Sequence, residues 1–140
     1  MKKATKVSYL INQPKYEANE GRPQLLRIEL HSEYTKIDFG YQTSSYYIKG
    51  GWVKIAPITY IKVNTNEEHL TLIDAINIPI APKKHDFDTQ KDWLYFSLIF
   101  PPIKIEDCLM DMIEADKGEP TDFNYYNIEI KKSKLIELKK

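Results

Sequence analysis

The chain is 140 residues long, with 20 basic and 20 acidic side chains, three histidines and one cysteine. That length suits one domain, which buries roughly two-thirds of its unfolded surface without metal or disulfide staples. A formal net charge of zero removes the long-range pull toward nucleic acid, and a lone Cys108 excludes an internal disulfide framework or a multi-cysteine zinc site.

Residues 1–23 read as an N-terminal strand and loop region. Lys6 interrupts any apolar stretch of signal-peptide length, and the longest apolar run, Trp93 to Pro102, is about half of what a spanning helix needs. A cytoplasmic chain with no membrane partner is expected, or an exported one whose leader has been removed.

From Leu26 onward the aromatic and β-branched residues come in short runs punctuated by Gly, Pro, Asn and Asp. Leu26, Ile28 and Leu30 alternate with Arg27, Glu29 and His31, predicting a strand with a polar outer face. Ile37, Phe39 and Tyr41 repeat the pattern. Gly50-Gly51 marks a turn, and Trp52–Ile55 and Tyr60–Val63 flank Pro57, as an edge or bulge would. After a polar loop at Asn64–Glu68 comes Leu70–Ile80. Trp93–Phe100 is apolar on both faces, which predicts a central strand closed by Pro101-Pro102.

Residues 105–116 fit either a helix, with Ile105, Leu109, Met112 and Ile113 on one stripe, or a strand. Phe123–Ile130 predicts the last strand, and 131–140 is a basic extension. The expectation is one all-β domain over 1–140, an antiparallel sandwich of about seven to nine strands with at most one short helix.

Several of these segments carry a resemblance. Glu33–Phe39, Gly51–Pro57 with Thr59-Tyr60-Ile61, Ala75–Ile80 before His85, Phe96–Pro101, Ile113-Glu114 and Phe123–Ile128 resemble small bacterial β-sandwich domains of unknown function. The resemblance covers roughly residues 24–130. It implies an immunoglobulin-like sandwich, favours the strand near Leu109, and carries no catalytic residue set.

The residues offer little assembled chemistry. His31, His69 and His85 form no metal-binding helix motif, and His85-Asp86-Phe87-Asp88 reads better as a solvated loop than as a calcium site. Glu106, Asp107 and Asp111 surround Cys108 and argue against an activated thiol. The serines lie in no nucleophile elbow, and no glycine-rich phosphate loop is present. No cofactor is implied. Glu29, Glu33, Asp38, Asp74 and Glu114 are dispersed carboxylates, the basis of a third, hydrolase reading.

Aromatic content is the distinctive feature, with ten tyrosines and two tryptophans. Tyr46, Tyr47, Trp52, Tyr125 and Tyr126 are the candidate recognition surface, since tyrosine joins a rigid contact face to a polar tip. The expected function is non-enzymatic protein–protein contact or self-association. A carbohydrate-binding module, with Trp52 or Trp93 stacking on sugar, is the alternative.

Overall fold

Alternating apolar and polar side chains build sheets here, as a computed structural model of the chain shows. The structure describes residues 8–18, 23–42, 52–53, 57–66, 68–78, 85–86, 93–114 and 124–138. Strands β1 (Ser8–Asn12), β3 (Gln24–Leu30), β4 (Thr35–Gln42), β8 (Asp74–Ile76), β10 (Trp93–Phe100) and β13 (Ile136–Leu138) form one antiparallel sheet, ordered β13-β1-β3-β4-β10-β8. Strands β2 (Glu17–Ala18), β6 (Tyr60–Val63), β7 (Leu70–Thr71), β11 (Cys108–Ile113) and β12 (Tyr125–Ile130) form a second, ordered β2-β12-β11-β6-β7. A small pair joins β5 (Trp52–Val53) to β9 (His85–Asp86). Both large sheets end in edge strands, so neither closes into a barrel.

The two sheets share one core. Ile28, Leu30, Ile37, Phe39, Phe96, Leu98 and Phe100 from the six-stranded sheet meet Ile61, Met110, Met112, Tyr125, Ile128 and Ile130 from the five-stranded one. Phe39 stacks on Phe96 at 5.1 Å within its own sheet and tilts against Tyr125 at 5.4 Å across the interface. Each such fully buried large side chain contributes about 1.5–3 kcal/mol.

Three local departures from the predicted pattern position the outer surfaces. In β3 the register with β4 slips between Leu25 and Arg27, a bulge that turns Leu25 into the core and leaves Leu26 facing outward over Gly40. In β12 a second slip sets Tyr126 and Asn127 opposite Asp111. Asn127 takes a left-handed backbone (φ 53°), so Tyr125 and Ile128, three residues apart, both point inward. Strand β10 is flanked on both sides, by β4 and β8, but it lies next to the edge and its outer face is not buried as predicted, Tyr95 being 62% exposed.

The ambiguous segment is a strand. Cys108, Met110 and Met112 are buried while Leu109 is exposed, a period of two that a helical stripe through Leu109 contradicts. The basic C-terminal segment does not prolong β12. It makes one 3-10 turn at Lys132–Lys134 and folds back as β13 beside β1.

Candidate functional site

The outer face of the six-stranded sheet carries a cross-strand ion network. The register sets Arg27 opposite Asp38 and Glu29 opposite Lys36. Arg27 Nε donates to Asp38 Oδ2 at 2.7 Å; Lys36 Nζ reaches Asp38 Oδ1 at 3.4 Å and Glu29 Oε2 at 3.3 Å. Ser97 Oγ on β10 donates to Asp38 as well.

Burial alone pushes the Asp38 carboxyl upward, but the Ser97 and Arg27 hydrogen bonds and the Lys36 and Arg27 charges together hold it below the ordinary carboxylate range. Burial likewise pulls the Lys36 ammonium down, and the charges of Asp38 and Glu29 outweigh it and raise its pKa. For Arg27 the hydrogen bond to Asp38 dominates and raises it further. The Asp38 carboxylate thus stays ionised, and both carboxylates have cationic partners.

At the end of this network Ser8 Oγ shares a 2.7 Å hydrogen bond with His31 Nδ1, and His31 Nε2 contacts Glu29 Oε1 at 2.8 Å. Tyr34 stacks on the imidazole at 4.3 Å. Hydroxyl, imidazole and carboxylate in a row have the order of a nucleophile relay. The other oxygen of this Glu29 carboxylate is held by Lys36, however, and neither depression described below reaches Ser8 or His31. The other dispersed carboxylates stand elsewhere: Glu33 in the turn after β3, Asp74 on edge strand β8 and Glu114 at the end of β11. Among the described residues no group of three or more His, Cys, Asp or Glu side chains could hold a metal ion.

Beside the network lies a shallow depression of about 650 Å³ lined by Leu26, Ile76 and Tyr95 on its apolar side and by Gln13, Asn77 and Asp38, among others, on its polar side. Gly40 opposite Tyr95 lets two of its lining side chains lie close to β4: Tyr95 Cε1 and Leu26 Cδ1 lie 3.2 and 3.4 Å from where a Cβ would stand. The depression was not legible in the sequence, because it depends on the Leu26 bulge and on strands distant in the chain. In sequence, Tyr95 is simply part of a run that is apolar on both faces.

On the other sheet a smaller hollow of about 430 Å³ is lined by Glu17, Ala18, Asp111, Tyr126 and Asn127. The bulge builds it: Asn127 N–H donates to Asp111 Oδ1 at 2.9 Å and Asn127 Nδ2 to Glu17 Oε2 at 2.6 Å. Tyr126 is 43% exposed on this face, which it shares with exposed Leu109.

Of the predicted recognition residues, Tyr125 and Tyr126 face opposite sides of β12. Tyr46 and Tyr47 lie outside the described residues, and Trp52 opens β5 with its backbone opposite Asp86. Tyr126 is exposed, but Tyr125 is a correction: it is fully buried, its ring 5.5 Å from Tyr16, and its hydroxyl donates to Pro23 O at 2.6 Å. Two consecutive strand residues face opposite sides, so this pair never had one surface to share.

Within the candidate metal loop, His85 and Asp86 form β9, while Phe87 and Asp88 lie outside the described residues. His69 stacks on Tyr60 at 3.9 Å. Cys108 is buried; burial first, then Glu106 and Asp107, push its thiol up to about 11. No described helix is long and apolar enough to cross a membrane. Comparison with protein-family models, curated proteins and solved structures finds no match.

Proposed function

We infer that this chain is a non-enzymatic β-sandwich of immunoglobulin-like type that acts as a protein-recognition or accessory module through the outer face of its five-stranded sheet. The observation that carries the reading is the exposure of Tyr126 and Leu109, 43% and 38%, on one sheet face. Around them stand Glu17, Lys62, Asp111 and Glu129, partly or wholly exposed. Exposed apolar side chains set among charged neighbours suit a protein interface, where tyrosine is enriched among the anchors. Chemistry at this face has less support: Asp111 Oδ1 already accepts from a backbone N–H and Glu17 Oε2 from Asn127. The immunoglobulin-like assignment rests on two antiparallel sheets over one core and on a chain that passes repeatedly from one sheet to the other.

The test begins with affinity capture from the native cell and proceeds to titration of the purified partner against variants. Tyr126→Ala and Leu109→Ser are expected to weaken that binding about tenfold or more. The melting temperature should fall by no more than a few degrees, because both side chains point away from the core. Full affinity in both variants would remove this face from the function.

A further inference from the structure

We propose that the depression around Tyr95, on the outer face of the six-stranded sheet, is a binding site for a neutral oligosaccharide. The site lies on the opposite sheet from Tyr126 and does not depend on the protein-contact reading. Its centre is an aromatic platform. With no side chain at Gly40, the edge of the Tyr95 ring settles against β4, 3.2 Å from the missing Cβ position, and Leu26 abuts the same spot. The ring is therefore supported by the sheet and still 62% exposed. A supported, exposed ring is what the C–H face of a pyranose packs on, at little cost in side-chain entropy.

The rim supplies polar groups for hydroxyls. Gln13 and Asn77 both adopt left-handed backbone, φ 45° and 64°, and both line this depression. Asparagine tolerates this conformation and glutamine does so less readily, and such backbone collects at ligand-binding places. Each is pinned: Gln13 N–H donates to Leu26 O at 2.8 Å, and Asn77 Nδ2 donates to Tyr95 O at 2.6 Å. The second bond ties the amide rim to the platform strand.

Charge decides what kind of ligand fits. Arg27 and Lys36 are matched by Asp38 and Glu29 in the same network. An ionic ligand would compete with these contacts for one partner or the other. Sugar hydroxyls, which donate and accept, add to the carboxylate and cation without separating them. The volume, about 650 Å³, falls in the range of small-ligand clefts, roughly 300–1,000 Å³.

A peptide added as a strand fits less well. The bordering edge, β8, is three residues long, and its Ala75 N–H is taken by Asp74 Oδ1 at 2.8 Å. The open shape predicts weak binding, with Kd on the order of 0.1–1 mM.

The experiment titrates the purified chain with cellotetraose, xylotetraose, maltotetraose, mannotetraose and chitotetraose, read by calorimetry and by amide chemical-shift mapping. At least one should bind saturably, with shifts centred on Gln13, Asn77 and Tyr95. Tyr95→Ala should weaken that binding about tenfold or more. Tyr95→Leu, which keeps Gly40 covered, should do the same, so a folding defect cannot imitate the result. Asn77→Gly retains the left-handed backbone and should also lose affinity, whereas Ile58→Ser should bind as the parent does. Raising salt from about 0.05 to 0.5 M should change Kd less than about twofold, since no net charge is exchanged.

Failure of every one of these sugars at millimolar concentration would overturn the proposal, as would shifts that map elsewhere or full affinity in Tyr95→Leu. Tight, salt-sensitive binding of polygalacturonate in preference to the neutral sugars would also overturn it. So would a protein partner that occupies this face while the sugars fail.

Discussion

A carboxylate on a sheet surface is normally wet, yet Asp38 is only 8% exposed and takes hydrogen bonds or ion pairs from three different strands. Its ordinary pKa of 3.8 is lowered in the fold, so the folded chain refuses a proton that the unfolded chain accepts. The stabilisation is fully present above pH 3.8 and fades as pH falls below it toward the depressed folded value. Asp38→Asn should therefore flatten the acid limb of a stability-versus-pH curve obtained by urea unfolding. At neutral pH it should lower stability by about 1–2 kcal/mol. An unaltered acid limb would mean that the network contributes nothing. Alternation in the sequence does place Arg27, Glu29, Lys36 and Asp38 on polar faces. It does not say which pairs with which, because a bulge at Leu26 shifts that register by one.

At the scale of the strand, the two bulges explain most of what sequence reading missed. Strict alternation from Ile128 back along β12 would turn Tyr126 into the core and Tyr125 out; the extra residue at Asn127 reverses them. Asn127 is what makes this conformation inexpensive, since its short side chain tolerates φ 53°. Asn127→Ala should accordingly be less stable than Asn127→Gly by about 1 kcal/mol. Equal midpoints in urea for the two variants would show that the backbone there is unstrained. The strand from Cys108 to Ile113 follows the same reasoning in the opposite direction. Its stripe of apolar residues at helical spacing is real, but burial follows a period of two because β6 and β12 flank it. Short apolar runs carry both periodicities, and tertiary pairing chooses between them.

Across the whole molecule, the all-β class and the place of Trp93–Phe100 between two other strands were readable because they follow from local pattern. Which sheet faces stay open was not, because that depends on what each face meets. Cys108 turns this architecture into a measurement. It lies 9% exposed opposite Ile130, with its thiol pushed up to about 11. At pH 8 a disulfide-exchange reagent should label it only through opening of the sandwich, and labelling should accelerate with urea in step with unfolding. Rapid labelling of the folded protein would place the β11–β12 ladder among its loosest parts.

The pairing of β1 with β13 has a mechanical consequence. Ser8, where the chain enters the six-stranded sheet, stands opposite Leu138, where it leaves. Tension applied through the two ends therefore pulls at one end of a single antiparallel ladder and across its bonds. Those bonds break in succession, like the teeth of a zip, instead of sharing the load in shear. Strung between two anchors, such a unit yields early and lengthens under forces that a shear-loaded sandwich would withstand.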